Sequence, residues 1–307
     1  MAVVEEKTVR DPIVSTIIDV QTLKDLEGPV DPDWCPGCGD FAVLKSLKEA
    51  LIERHIQPHQ ALIVSGIGCS SNLPGFINAY GIHSLHGRAL PVATGVKLAN
   101  HHLHVIAVGG DGDGYGIGLS HLIHAARRNL DLTYIVMNNE IYGLTTGQAS
   151  PTSMLDMRTK STPFGCAEMP INPIALGIVS GATFVARTFS GDQKHMAKIF
   201  AQGIAHRGFS LIDCMSPCVT FNKVNTYPWF KERCYRVEDE ANYNPYELMM
   251  AMEKAYEWGA RIPLGVIFRA ERPTYEDSEP VLKQGPVVDQ PMGITREMFD
   301  QLLAETM

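Results

Sequence analysis

The chain has 307 residues, 45% of them hydrophobic and 20% charged, and carries a formal net charge of −8. That length buries a sizeable core, as one large domain or two small ones, without disulfide or metal staples. The acidic balance argues against a nucleic-acid-binding surface, no apolar run is long enough to span a bilayer, and the first residues lack the layout of a secretory signal, so a cytoplasmic protein with no membrane segment is expected.

Residues 1–33 hold no long amphipathic pattern and end in the proline-rich run GPVDPD, which reads as an extended N-terminal arm. Apolar residues recurring at helical spacing predict a helix over 41–54. A short apolar strand follows at 61–65, then a helix over 89–100. Strand 104–108, helix 117–129 and strand 132–137 make a β-α-β unit. Helix 171–181, strand 182–188, helix 193–206 and strand 209–214 continue the alternation. Such alternation predicts an α/β fold whose doubly wound, mostly parallel sheet is covered on both faces. From about 222 the pattern gives way to an aromatic, charged, turn-rich stretch. A helix over 246–260, a strand over 263–268 and a short terminal helix follow. The expected organisation is an arm (1–33), one domain (34–222) and a C-terminal extension (223–307).

The stretch 108–152 carries the chemistry. An apolar strand breaks into a turn with glycines at 110, 112, 114 and 116 around Asp111, and the next strand ends on Asn138-Asn139. Asp111 and Asn139 thus sit at the ends of successive strands, where open α/β sheets bind ligands. The glycines let backbone N–H groups approach an anion, and the following helix N-terminus adds its positive end. A carboxylate, an amide and free N–H groups suit Mg²⁺ holding a diphosphate, because hard cations take oxygen ligands and share them with phosphates. The dinucleotide-binding glycine fingerprint is absent. Gly110-Asp111-Gly112 followed some two dozen residues later by Asn138-Asn139 resembles the signature of thiamine diphosphate enzymes.

Seven cysteines make an odd set, better read as ligands or free thiols than as a disulfide framework. Cys35 and Cys38 stand in WCPGCG. A thioredoxin-like redox pair would follow a buried strand, whereas GPVDPD precedes this one. Four thiolates suit either structural zinc or an iron–sulfur cluster, and spacing does not separate the two. Placement favours the cluster: Cys69 follows strand 61–65 and Cys218 follows strand 209–214, on the sheet edge that carries the diphosphate turn. Cys166, Cys214 and Cys234 have no partner at ligand spacing.

Seven segments, WCPGCGDFAVLKSLKEAL, SGIGCSSNLPGF, HSLHGRALPVATGVKLAN, GGDGDGYGIGLSHLIHAARRN, NNEIYGLTTGQASPTS, GATFVARTFSGDQKH and SPCVTFN, resemble the β subunit of 2-oxoacid:ferredoxin oxidoreductases, most closely the 2-oxoglutarate (2-oxoglutarate synthase) enzymes. The likeness runs nearly continuously from about 30 to 222. It implies the thiamine diphosphate-binding fold, with a 4Fe-4S cluster on Cys35, Cys38, Cys69 and Cys218. It also implies Mg²⁺ on Asp111, the Asn139 side chain and the Ile141 carbonyl. Diphosphate and thiazolium contacts would fall on Ile67, Gly68, Cys69, Ser70, Gly112, Asp113, Gly143 and Leu144, and His86 would face the reacting centre.

The implied reaction is oxidative decarboxylation of 2-oxoglutarate to succinyl-CoA and CO₂, reversible, with coenzyme A as co-substrate and ferredoxin as electron acceptor. The activating glutamate would come from a separate α subunit, in a dimer of αβ units. Asn72 stands where relatives often carry arginine or lysine, which leaves Arg88, Lys97 or the α subunit to meet a distal carboxylate. Two alternatives stand beside this reading: the same chemistry on pyruvate, and a non-oxidative thiamine decarboxylase with structural zinc.

Overall fold

The structure, a computed structural model, describes residues 20, 22–290 and 293–306. Most of the expected arm, 1–19 and 21, lies outside the described residues. Its described end forms a short turn, Leu23–Leu26, that buries Leu26 and bridges Glu27 to Ile77. In chain order the main elements begin with α1 (Asp40–Glu53), β1 (Ala61–Ser65), β2 (Tyr80–His83), α2 (Ala89–Ala99), β3 (His104–Gly110), α3 (Leu119–Arg128) and β4 (Thr133–Asn138). A small hairpin of β5 (Ile141–Tyr142) and β6 (Gln148–Ala149) precedes α4 (Pro173–Val179), β7 (Phe184–Phe189), α5 (Gln193–Ala205) and β8 (Ser210–Met215). The C-terminal part adds α6 (Tyr227–Lys231), β9 (Cys234–Arg236), α7 (Leu248–Tyr256), β10 (Ile262–Arg269), α8 (Tyr275–Ser278) and α9 (Arg296–Thr306).

The eight-stranded sheet has the order β2-β1-β3-β4-β8-β7-β10-β9. Its first six strands are parallel throughout. β10 then runs antiparallel to β7, with an irregularity between Val266 and Phe268, and β9 pairs parallel to β10. The last two strands, both from beyond 223, therefore complete the same sheet. β1, β4, β7 and β8 are buried along their whole length, as parallel strands covered on both faces must be. That double burial is why they read as continuous apolar runs. β2 escaped sequence reading because it is a largely exposed edge strand with no apolar alternation to announce it.

Side chains alternate strictly across the sheet. Ile63, Ile106, Ile135, Met137 and Ile212 join α1 and α5 in one core layer. Val64, Ala107, Tyr134, Val136 and Leu211 join α2, α3, α4 and α7 in the other. Asn172 and Asp192 start α4 and α5 by accepting from the backbone N–H of Ala175 and His195. Because six strands share one direction, the loops after β1, β3, β4 and β8 emerge at one edge, and that edge carries the site. No helix among the described residues is long and apolar enough to cross a membrane. Phe200 of α5 is fully buried against α1. Phe200→Ala is expected to lower folding stability by about 3–5 kcal/mol, read from the denaturant midpoint.

Candidate active site

β3 runs out at Gly110 into Asp111 and a wide helical turn, 112–117. Asp111 is buried, and its Oδ2 accepts from Ser150 Oγ at 2.5 Å and Thr152 Oγ1 at 2.7 Å. Burial pushes its carboxyl up to about 6, with the two hydroxyls opposing. At the end of β4 the two asparagines part. Asn138 turns toward the α4–α7 face, where its Nδ2 donates to Asp213 Oδ1 at 3.1 Å. Asn139 turns to the other face and accepts from the Ile141 N–H at 3.0 Å, which leaves its amide oxygen a second lone pair.

Twelve of the residues expected from the sequence line a single groove: Ile67, Gly68, Cys69, Ser70, His86, Asp111, Gly112, Asp113, Asn139, Ile141, Gly143 and Leu144. The groove holds about 130 Å³, less than the ~300 Å³ or more that usually encloses a ligand. Two buried oxygens on it, Ser70 Oγ and Asp113 Oδ2, have no hydrogen-bond partner. An unpartnered hydroxyl beside a buried carboxylate and an amide oxygen fits a diphosphate held through a divalent cation.

Asp113 organises the wall. Its Oδ1 accepts from the N–H of Ile67 at 2.9 Å and of Gly87 at 2.7 Å, and lies 2.7 Å from His86 Nδ1. The His86 side chain is 41% exposed, so Nε2 remains free for the groove. Gly66 must be glycine, since a Cβ there would sit 1.8 Å from Asp113 Oδ2. Gly112 must be glycine for a similar reason, a Cβ falling 2.0 Å from the Tyr142 ring.

The cysteine loops converge beside this groove. The Trp34 indole donates to the Cys69 carbonyl at 2.7 Å and packs edge-on against Phe41 and Phe76. The Gly39 N–H donates to the Pro217 carbonyl at 3.3 Å, and Ser216 Oγ donates to Asp40 Oδ1 at 2.6 Å. A Cβ built on Gly143 would lie 3.6 Å from both the Cys69 and Cys218 sulfurs and 3.7 Å from Asn139 Nδ2. Burial, reinforced by Asp40 and the neighbouring sulfurs, pushes the Cys69 thiol up to about 12 and raises that of Cys38. Cys35 is exposed and electrostatically felt by Cys69.

The other three cysteines do not join this group. Cys214 lies inside the sheet against Met196, Cys234 stands on β9, and Cys166 packs near Cys218 while its thiol points to the Glu168 carbonyl. Among the described residues, no three His, Cys, Asp or Glu side chains are close enough to hold one metal ion.

Sequence reasoning missed Asp40, which looked like an ordinary helix start. It is buried, lines the groove, and its carboxyl is raised to about 6 by burial between the cysteines and Asp111. Tyr142, which reaches the Gly112 carbonyl at 3.3 Å, was also missed. Lys97 must be withdrawn as a substrate cation. It is buried at the opposite sheet edge, where Nζ meets the Leu103 carbonyl at 3.1 Å and Asp131 at 2.8 Å. Arg88 does not line the groove either, and Asn72 leans toward Asp33 at 3.4 Å.

Residues 66–214 match the thiamine pyrophosphate enzyme, C-terminal TPP binding domain family. Residues 218–284 match the family of the C-terminal region of the pyruvate ferredoxin oxidoreductase beta chain. Over 255 residues, 80% of either chain, this sequence is 46% identical to the 2-oxoacid:ferredoxin oxidoreductase 1 subunit beta of Aeropyrum pernix. The chain belongs to the β subunits of 2-oxoacid:ferredoxin oxidoreductases. It is thus a subunit of an oxidoreductase complex with a thiamine diphosphate-binding fold. It is 40% identical over 191 residues, 62% of this chain and 71% of the other, to a 2-oxoglutarate synthase subunit KorB of Archaeoglobus fulgidus. A solved 2-oxoglutarate:ferredoxin oxidoreductase from Magnetococcus marinus, with 2-oxoglutarate, coenzyme A and succinyl-CoA bound, superimposes with a TM-score of 0.85 at 36% identity, covering 94% of this chain and 97% of that one.

Gly66→Ala displaces the Asp113 carboxylate from its three donors. Leaving buried donors unmet costs about 1–3 kcal/mol, so thiamine diphosphate binding to the complex, followed by calorimetry, is expected to weaken about ten- to a hundredfold.

Proposed function

We propose that the chain supplies the thiamine diphosphate wall of a cytoplasmic enzyme that oxidatively decarboxylates 2-oxoglutarate to succinyl-CoA and CO₂. In this reading coenzyme A takes the acyl group, electrons pass through a 4Fe-4S cluster to ferredoxin, and the reaction runs in either direction. One observation carries it: the backbone at Gly143 stands beside the sulfurs of Cys69 and Cys218 and beside the Asn139 amide at once. Electron sink and coenzyme would therefore share one loop cluster.

Bound thiamine diphosphate supplies the carbon that adds to the 2-oxoacid and accepts the electron pair left by CO₂, and the cluster supplies the one-electron sink. The chain's own residues do the rest. Asp111, the Asn139 amide oxygen and the Ile141 carbonyl offer Mg²⁺ three hard oxygen ligands. The unmet Ser70 hydroxyl, with the backbone of Ile67, Gly68, Gly112 and Asp113, faces the diphosphate. Gly143 and Leu144 would contact the thiazolium. Asp113 Oδ1 accepts a hydrogen bond from His86 Nδ1–H, which leaves Nε2 to accept or return a proton at the substrate.

Cys35, Cys38, Cys69 and Cys218 hold the cluster. Thiols kept neutral by burial must lose protons on loading, so assembly releases acid.

The narrow groove supports a two-chain site, completed by an α subunit in a dimer of αβ units. No lysine or arginine among the described residues lines the groove, so a distal carboxylate would find its cation on the partner. The same fact favours pyruvate, which carries no distal carboxylate, as the second reading.

The αβ complex is expected to reduce ferredoxin with 2-oxoglutarate at higher kcat/KM than with pyruvate, whereas this chain alone shows no turnover. Activity of the isolated chain refutes the two-chain site, and a pyruvate preference overturns the substrate. In the complex, Asp111→Ala is expected to abolish Mg²⁺-dependent thiamine diphosphate binding while the brown cluster absorbance persists. Unchanged coenzyme affinity breaks the metal assignment.

A further inference from the structure

The end of β4 has a second cavity, on the face away from the coenzyme groove. Met137, Asn139 and Ile141 line the groove, while Asn138 and Glu140 line this other space of about 260 Å³, together with Thr152, Arg187, Tyr256 and Trp258. Two of its charged groups, Arg187 and Glu140, carry unmet atoms. Arg187 is 1% exposed, and its Nε and Nη1 have no hydrogen-bond partner. Asp213 Oδ2, its ion-pair partner, stands 3.7 Å away, and Asp213 Oδ1 is taken by the Tyr115 hydroxyl and the Asn138 amide. Glu140 is 2% exposed, and neither carboxyl oxygen has a partner. No ion pair joins Glu140 to Arg187 among the described residues. Trp258 lies under the guanidinium, 5.1 Å from ring centroid to Cζ.

We propose that this cavity binds a small 2-amino or 2-hydroxy acid. The carboxylate would accept from Arg187, the ammonium or hydroxyl would donate to Glu140, and the apolar part would lie against Trp258 and Tyr256. The unmet groups suit this ligand. Buried donors and acceptors require partners, and cavities that stay dry are apolar, which this one is not. A simple carboxylate would satisfy Arg187 and still leave at least one Glu140 oxygen without a donor. A simple cation would do the reverse. A molecule with an acceptor and a donor on neighbouring atoms meets both, and the space exceeds what one water needs. None of the twelve groove residues lines this cavity, so the site is independent of the coenzyme assignment.

Calorimetry on the αβ complex with L-valine, 2-hydroxyisovalerate and isobutyrate tests it. At least one of the first two is expected to bind about tenfold or more tightly than isobutyrate, and the tighter of them identifies the donor. Arg187→Met is expected to abolish the binding. Should its loss against Asp213 unfold the protein, Trp258→Ala, at the partly exposed wall, is expected to weaken binding about tenfold with thiamine diphosphate affinity unchanged. Absence of binding by both donor-bearing acids, or equal binding to the wild-type and Trp258→Ala complexes, overturns the proposal, as does a crystal soak showing only ordered water in the cavity.

Discussion

A single buried oxygen holds the groove in shape. Asp113 Oδ1 gathers the backbone N–H of Ile67 and of Gly87 and the Nδ1 side of His86, which binds the loops after β1 and β2 to the turn after β3. Parallel strands bring those loops to one edge, but parallelism alone leaves their spacing loose. The carboxylate sets the spacing, and it can reach its donors only because Gly66 has no Cβ in the way. The glycines of this edge are thus room for one acidic side chain as much as room for a phosphate.

The cysteine side is braced differently. Its fasteners are the Trp34 indole on the Cys69 carbonyl, the Gly39 N–H on the Pro217 carbonyl, and Ser216 on Asp40. All three join α1 or the segment before it to loops that follow strands, so helix and sheet must dock before the thiols can meet. Asp40 and Asp111 feel each other across the gap, both raised by burial with no lysine or arginine beside them in the groove. Uncompensated buried carboxylates of this kind are costly unless positive charge arrives from outside the chain. Folding of the edge and loading of the site are for that reason one electrostatic problem.

Much of this was legible in the sequence. Strands buried on both faces betray themselves as apolar runs, and Asp111, Asn139, Cys69 and Cys218 stood at strand ends where their chemistry could be read. What escaped depended on tertiary contact. β2 is exposed and has no pattern. The reversed direction of β10 leaves no trace in residue spacing, since antiparallel and parallel strands alternate alike. Lys97 stood as a candidate to meet a distal carboxylate, but its helix packs on β3 and turns the amine to Asp131. Arg187 sat unremarked in an apolar strand because its partner Asp213 belongs to a different strand.

The alternation along β4 has a further consequence. Successive residues from Met137, near the end of β4, to Ile141, at the start of β5, line opposite cavities, so this short connection is a divider whose two sides are written in one interleaved stretch of sequence. A slip of one position exchanges every side chain between faces. Inserting or deleting a single residue here would carry Glu140 into the coenzyme groove and the Asn139 amide out of it. Over these few positions a change of length disturbs both cavities at once, whereas a substitution touches one.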